Sequence, residues 1–188
     1  MSTLDQNIVN DIRQHLDRPI LLIGMMGVGK TRMGRQLADA LNLPFTDSDD
    51  EVEQAAGMSI ADIFEKFGEP YFRDGERRVI ARLMEQGPSV IATGGGAVMT
   101  PETAELIWER ALSVWIRAEM DVMVERTARR DDRPLLKNGD PEKILTELAA
   151  IRYPVYEKAD IVIDSHNGPA EAILNQALGK IRDYLHHE

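Results

Sequence analysis

Cysteine is absent from all 188 residues, which excludes a disulfide framework and thiol chemistry and suits a reducing compartment. Histidine is scarce. Of the four, His15 and His166 are isolated and His186 and His187 fall in a C-terminal stretch expected to fray, so none shows zinc-ligand spacing and no zinc is expected. No apolar run approaches a membrane span, and Asp5 and Asp11 stand where a secretory leader would carry a basic start and an apolar stretch; the expected location is the cytoplasm. Positive charge is in deficit, with 22 Lys and Arg against 32 Asp and Glu and a net charge of -10. That balance argues against binding nucleic acid or anionic membranes through overall charge. Internal repeats, low-complexity tracts and Pro/Ser linkers are also missing, so a single domain is expected.

The residues that are present describe a folded globular chain, with 43% hydrophobic residues, nine Pro and fourteen Gly. The scarce positive charge is local: four Arg crowd into RTARRDDR, residues 126–133. Ile8, Ile12 and Leu16 with Val9 have helical spacing that stops near Pro19, predicting an extra N-terminal helix within residues 1–18. Beyond it, PILLIG (19–24), LPFTD (43–47), SVIAT (89–93), LSVWIR (112–117) and DIVID (160–164) read as five strands, with helical stretches between them. Alternation of this kind predicts an α/β fold of three αβα layers around a five-stranded parallel sheet. Ligands of such sheets bind at the carboxyl ends of the strands. Glycines follow the first strand, carboxylates the second and GGG the third. Residues 48–80 and 127–140 interrupt the alternation and read as a substrate-side helical insertion and a lid.

GMMGVGKT, Gly24 to Thr31, matches G-x-x-x-x-G-K-[ST] in full between a predicted strand and a predicted helix. Its glycines, Gly24, Gly27 and Gly29, allow loop N–H groups and the start of the next helix to cradle phosphates. Lys30 is placed to reach the β- and γ-phosphates and Thr31 to ligate magnesium. Met25 and Met26 are expected to pack locally. A GTPase-like switch is disfavoured because no N-K-x-D tetrapeptide occurs in the chain.

Phosphoryl transfer also needs an acceptor oxygen, a group to deprotonate or orient it, and cations. Asp47 and Asp49 are spaced i, i+2 at a strand exit, so in extended geometry both project to one side. One can serve the metal and the other can take a hydroxyl proton, while one acid of the DSDD run caps the next helix. Arg73 and Glu76 in FRDGE are three apart on a predicted helix. They read either as an Arg oriented to grip a substrate carboxylate or as a solvated bridge worth about 0.3–0.5 kcal/mol. Gly94, Gly95 and Gly96 carry no Cβ to hold a compact polar ligand away from their amides; a strained turn is the alternative. Arg133 in DRPLL lies in the lid segment, and Arg152 lies in IRYPVY.

Taken in order, the phosphate loop with GRQLA behind it, the run from DSDD through FRDGE, GGGAV, RPLL and RYPVY resemble the shikimate kinase family, from about Pro19 onward. The resemblance implies that Asp49, Arg73, Gly95 and Arg152, with Gly94 and Gly96, hold shikimate, Asp49 as candidate base and the two Arg on the carboxylate. It implies nucleotide contacts from Gly27, Val28, Gly29, Lys30, Thr31, Arg32 and Arg133, with Arg126 stacked on adenine opposite a loop near Pro169. Thr31 and Asp47 would hold Mg2+, Asp47 through water. Lys30, Asp49 and Arg133 would carry the catalysis. The implied reaction is ATP plus shikimate giving ADP and 3-phosphoshikimate, by a monomer with neither nucleic acid nor membrane as partner. A gluconate-type sugar-acid kinase and a nucleotide-binding regulatory module without transfer activity are the alternatives.

Overall fold

In a computed structural model that describes residues 5–128, 139–166 and 168–187, the five apolar runs become five parallel strands. They are β1 (Ile20–Ile23), β2 (Phe45–Asp47), β3 (Val90–Ala92), β4 (Leu112–Arg117) and β5 (Ile161–Asp164), in the spatial order β2-β3-β1-β4-β5. All of β1 and β3 and all but the last residue of β4 are buried. A strand covered by helices on both faces has no solvent side, so its sequence is continuously apolar rather than alternating. Leu22 in the middle strand stands opposite Ala92 on one side and Val114 on the other. The parallel register gathers the loops after β1, β2 and β3 at one rim.

The helices are α1 (Gln6–His15), α2 (Lys30–Leu41), α3 (Ser48–Ala56), α4 (Ile60–Phe67), α5 (Glu69–Met84), α6 (Pro101–Arg110), α7 (Met120–Ala128), α8 (Pro141–Tyr156) and α9 (Ala170–Leu185). On α2, Met33, Leu37, Ala38 and Leu41 form the buried face, the three-to-four spacing of an amphipathic helix. The segment predicted as an insertion becomes α3, α4 and α5; Asp47 caps the first and Ser59 the second. Of the segment predicted as a lid, Thr127 and Ala128 end α7. Residues 129–138, including Arg129, Arg130 and Arg133, lie outside the described residues.

The predicted N-terminal helix is α1, capped by the Asp5 side chain, with Val9, Ile12 and the following Leu16 buried where α1 packs on α9 and α2. Ten residues are too few to hold a helix in water by propensity alone. Burial of those side chains, each worth about 1.5–3 kcal/mol, is what holds it. Two expectations about histidine change here. The last helix runs to Leu185 with His186 as its C-cap, so His186 is ordered rather than frayed. Nor is His15 isolated, because docking of α1 on α9 brings its ring centre to 5.0 Å from that of His186. Among the described residues, no helix is long and apolar enough to cross a membrane.

Candidate active site

The loop from β1 to α2 turns through Gly27, φ 83°, and Gly29, φ 95°, backbone that side-chain-bearing residues rarely adopt. Gly29 is also the N-cap of α2 and offers no side-chain bond to the first turn, so the leading N–H groups and the helix dipole face the rim, the arrangement that binds anions. Lys30 Nζ folds over this loop, donating to Gly24 O at 2.8 Å and Met25 O at 2.9 Å. Val28 is buried, whereas Arg32 is exposed on the first turn of α2. Met25 and Met26 pack against the core, as expected.

Thr31 Oγ1 donates to Asp47 Oδ2 at 2.9 Å, tying the start of α2 to the end of β2. The extended i, i+2 reading of Asp47 and Asp49 does not hold. The strand ends at Asp47, whose Oδ1 accepts from Asp49 N at 3.2 Å, so Asp47 is the N-cap of α3 and Asp49 sits in its first turn. Both still reach the rim. Asp49 Oδ1 is buried and, among the described residues, has no hydrogen-bond partner. Burial and the neighbouring Asp47 push the Asp49 carboxyl up from 3.8 to about 6, against the pull of Lys30 and Arg73. That mutual influence places the phosphate-loop lysine and the carboxylate in one electrostatic neighbourhood.

The solvated-bridge reading of Arg73 and Glu76 is overturned. Glu76 is only 1% exposed, and its Oε2 accepts from Arg73 Nη1 at 2.7 Å. Glu69 Oε1 holds the other side of the guanidinium, accepting from Nε at 3.2 Å. Burial raises the Glu76 carboxyl from 4.5 to about 7 despite Arg73. On Arg73 burial disfavours charge, but Glu76 and Glu69 prevail and raise its pKa. Glu76 Oε1, like Asp49 Oδ1, is buried without a hydrogen-bond partner among the described residues.

The three consecutive glycines are not a strained turn, since none of them has positive φ. Their missing side chains are occupied by other residues. A Cβ at Gly94 would lie 2.8 Å from Asp49 Oδ1 and 3.3 Å from Glu76 Oε1; one at Gly95, 2.9 Å from Arg152 Nη1 and 3.2 Å from Gly24 O; one at Gly96, 3.0 Å from Arg73 Cζ. So Asp49 from α3, Arg73 from α5 and Arg152 from α8 converge on one glycine apiece, and the glycine loop touches the phosphate loop. Arg152 is half-buried, with Nη1 4.0 Å from Met25 Sδ. Tyr156, one turn later, is buried and donates its phenol to Gly95 O. Burial pushes that phenol up to about 12, against nearby Arg152.

On the far side of the phosphate loop, Arg126 Nη1 donates to Val28 O at 3.2 Å and Ser165 Oγ at 3.0 Å, and Nη2 to His166 O at 3.1 Å. This joins α7 to the loop that leads to Pro169, the exposed N-cap residue of α9. Arg126 is thus tied to Ser165 and His166, just before Pro169 in the chain. Two hollows of about 400 and 500 Å3 flank α5, the larger one beside Arg73. Neither is lined by Lys30 or Asp49; converging charge marks the site. Sequence reasoning paired Glu76 with Arg73 without placing it in the site, and passed over Tyr156. The signals were the FRDGE spacing and the position one turn after Arg152.

The family profile of shikimate kinases matches residues 26–182. A shikimate kinase from Rhodopseudomonas palustris is 54% identical over 90% of this chain and 83% of its own length. One from Novosphingobium aromaticivorans is 48% identical over 97% of this chain and 96% of its own. Among solved structures, a shikimate kinase from Acinetobacter baumannii in complex with shikimate superposes with a TM-score of 0.83 at 38% identity, over 88% of this chain and 93% of that one. With the matched profile spanning most of the phosphate loop, the acidic run, the glycine loop and RYPVY, the chain belongs to the shikimate kinase family.

Proposed function

We propose a division of labour for the reaction of this family in this chain: transfer of the γ-phosphoryl group of ATP to the 3-hydroxyl of shikimate, giving ADP and 3-phosphoshikimate. The chain is a phosphotransferase with an alcohol acceptor. One observation carries the assignment of roles. The glycine loop that receives Asp49, Arg73 and Arg152 abuts the phosphate loop that carries Lys30.

Loop N–H groups from Gly27 to Lys30 and the start of α2 bind the phosphates. Lys30 leaves the Gly24 and Met25 carbonyls to meet the β- and γ-phosphates. Arg32 adds charge at the first turn of α2, Arg133 supplies a further cation for the phosphates, and Arg126 bounds the adenine side with the loop that leads to Pro169. Thr31 and Asp47 fit a magnesium ion. Their hydroxyl and carboxylate oxygens already meet at 2.9 Å beside the phosphate loop, and Mg2+ takes few protein oxygens and keeps several waters. Bound there, the ion supplies neutralisation of phosphate charge.

On the acceptor side, Arg73 and Arg152 grip the shikimate carboxylate, with Glu76 fixing the Arg73 guanidinium. Gly94, Gly95 and Gly96 leave the room in which Asp49, Arg152 and Arg73 gather around the acid. Asp49 accepts the hydroxyl proton: its Oδ1 is buried and unpaired, and a carboxyl raised to about 6 is ionised at neutral pH yet more basic than an ordinary Asp. As the proton passes to Asp49, the acceptor oxygen bonds to the γ-phosphorus and the bond to the bridging oxygen of ADP breaks.

The test is acceptor-dependent ADP release with shikimate, gluconate and nucleoside monophosphates supplied in turn. Release with shikimate alone is expected. Release with gluconate in its place would point to the sugar-acid kinase, and ATP binding without release to any acceptor would point to the regulatory module.

A further inference from the structure

Where α1 lies on α9, three side chains that play no part in the candidate active site come together. Asp11 and His15 are one turn apart on α1, and His186 caps α9. A single carboxylate faces both rings: His186 Nε2 is 2.6 Å from Asp11 Oδ2, and His15 Nδ1 is 3.3 Å from Asp11 Oδ1. His15 Nδ1 also lies 2.9 Å from the Asp11 backbone oxygen. One donor atom from each of the three residues lies within 4.8 Å of the other two. Small rotamer adjustments would bring all three to about 2.0–2.2 Å from one ion. The side chains are 29%, 46% and 49% exposed for Asp11, His15 and His186, so an ion reaches them from solvent without opening the fold.

We propose that Asp11, His15 and His186 form a binding site for a divalent transition cation of the zinc class, which clasps the first helix to the last. Two imidazoles and one carboxylate suit zinc, cobalt or nickel, whereas magnesium and calcium ask for an all-oxygen shell. Three protein donors leave a fourth position for water. Arg182 on α9 is a cation that acts on Asp11. Its guanidinium is directed to Asp183 Oδ1, at 2.9 Å from Nε and 2.5 Å from Nη2. The clasp acts on a helix too short to persist by itself, adding to the packing of Val9, Ile12 and Leu16.

The experiment is a zinc titration of the full chain without nucleotide, followed by calorimetry and by thermal unfolding, with cobalt absorption reporting the coordination geometry. One zinc per chain and a higher unfolding midpoint are expected, with any effect of magnesium on the midpoint the same in the parent and in His15→Gln and His186→Gln chains. His15→Gln and His186→Gln should each weaken zinc binding by at least about tenfold and remove the midpoint rise. His166→Gln and His187→Gln should leave both intact. Asp11→Asn keeps the size of the side chain and tests the carboxylate separately. Metal-free midpoints near the parent value identify variants that fold, and their turnover with magnesium and ATP should match the parent. An absence of zinc binding in the parent, or undiminished binding in folded His15→Gln or His186→Gln chains, overturns the site.

Discussion

Arg73 lies in the space that a side chain at residue 96 would fill: a Cβ on Gly96 would come within 3.0 Å of Arg73 Cζ and closer still to Nη2. The guanidinium cannot easily yield, because Glu69 and Glu76 hold it from two sides. Gly96→Ala should therefore misplace Arg73 and raise the KM for shikimate about 10- to 100-fold, leaving the KM for ATP near the parent value. Gly94→Ala should act differently, lowering kcat, because its Cβ meets Asp49 Oδ1 at 2.8 Å. Steady-state kinetics in both substrates separates the two; a matching rise in the KM for ATP from Gly96→Ala would sink the assignment.

Asp49→Asn should lower kcat by about 10²- to 10⁴-fold, the usual contribution of a positioned base, with little change in ATP affinity. The same change should stabilise the fold at alkaline pH. Burial raises this carboxyl from 3.8 to about 6, so the native chain binds more protons than the unfolded chain between about pH 4 and 6. Asp49 thus detracts from stability increasingly as pH rises through that window, and fully above it. At pH 8 the Asn variant should gain about 3 kcal/mol, and the gain should fade away below about pH 4. Chemical denaturation at the two pH values measures it.

The pH dependence of turnover carries the same signature. With the Asp49 carboxyl at about 6, kcat/KM for shikimate should rise as pH climbs through about 6 and the base loses its proton. In Asp49→Asn the residual activity should lose that acid limb. An unchanged limb in the variant would assign the titration to another group.

How much of this was legible in the sequence depends on how local each cause is. Strands buried on both faces announced themselves as apolar runs, and the phosphate loop is a contiguous motif whose neighbours agreed with it. Asp49 was misplaced in detail because the Asp47 side chain, by bonding the Asp49 N–H, ends the strand and starts a helix within two residues. Glu76 could not be placed because an i, i+3 ion pair has the same spacing whether it is exposed or buried. The glycine loop could be located but not explained, since what it makes room for arrives from α3, α5 and α8. Asp11 and His186 are 175 residues apart, and no local pattern links them.

Arg152→Ala should weaken shikimate binding, because Arg73 is then the remaining guanidinium for the carboxylate. Arg152 Nη1 would sit 2.9 Å from a Gly95 Cβ, on the same glycine loop that receives Arg73. A charge-assisted bond of this kind is worth about 1.5–3 kcal/mol, roughly 10- to 150-fold in Kd. Calorimetry with shikimate measures it. Equal affinity in the variant and the parent would remove Arg152 from the carboxylate grip.

Tyr156→Phe separates positioning from packing. The phenol is buried, donates to Gly95 O, and shares an aromatic cluster with Trp115 and Tyr153, whose ring centres are 5.8 and 6.2 Å away. Phenylalanine keeps the ring in that cluster but deprives the Gly95 carbonyl of its donor, at a cost of about 1–3 kcal/mol. If the bond served the fold alone, the unfolding midpoint would fall and the kinetics, measured well below it, would match the parent. If it also fixes the glycine loop against Arg152, one turn back on the same helix, the KM for shikimate should rise severalfold while that for ATP stays put. We expect the second pattern, because Gly95 lies between the Tyr156 hydroxyl, the Arg152 guanidinium and the Gly24 carbonyl, all within 3.6 Å of its would-be Cβ. A backbone hemmed in on three sides transmits a lost hydrogen bond directly to the groups that meet the acid.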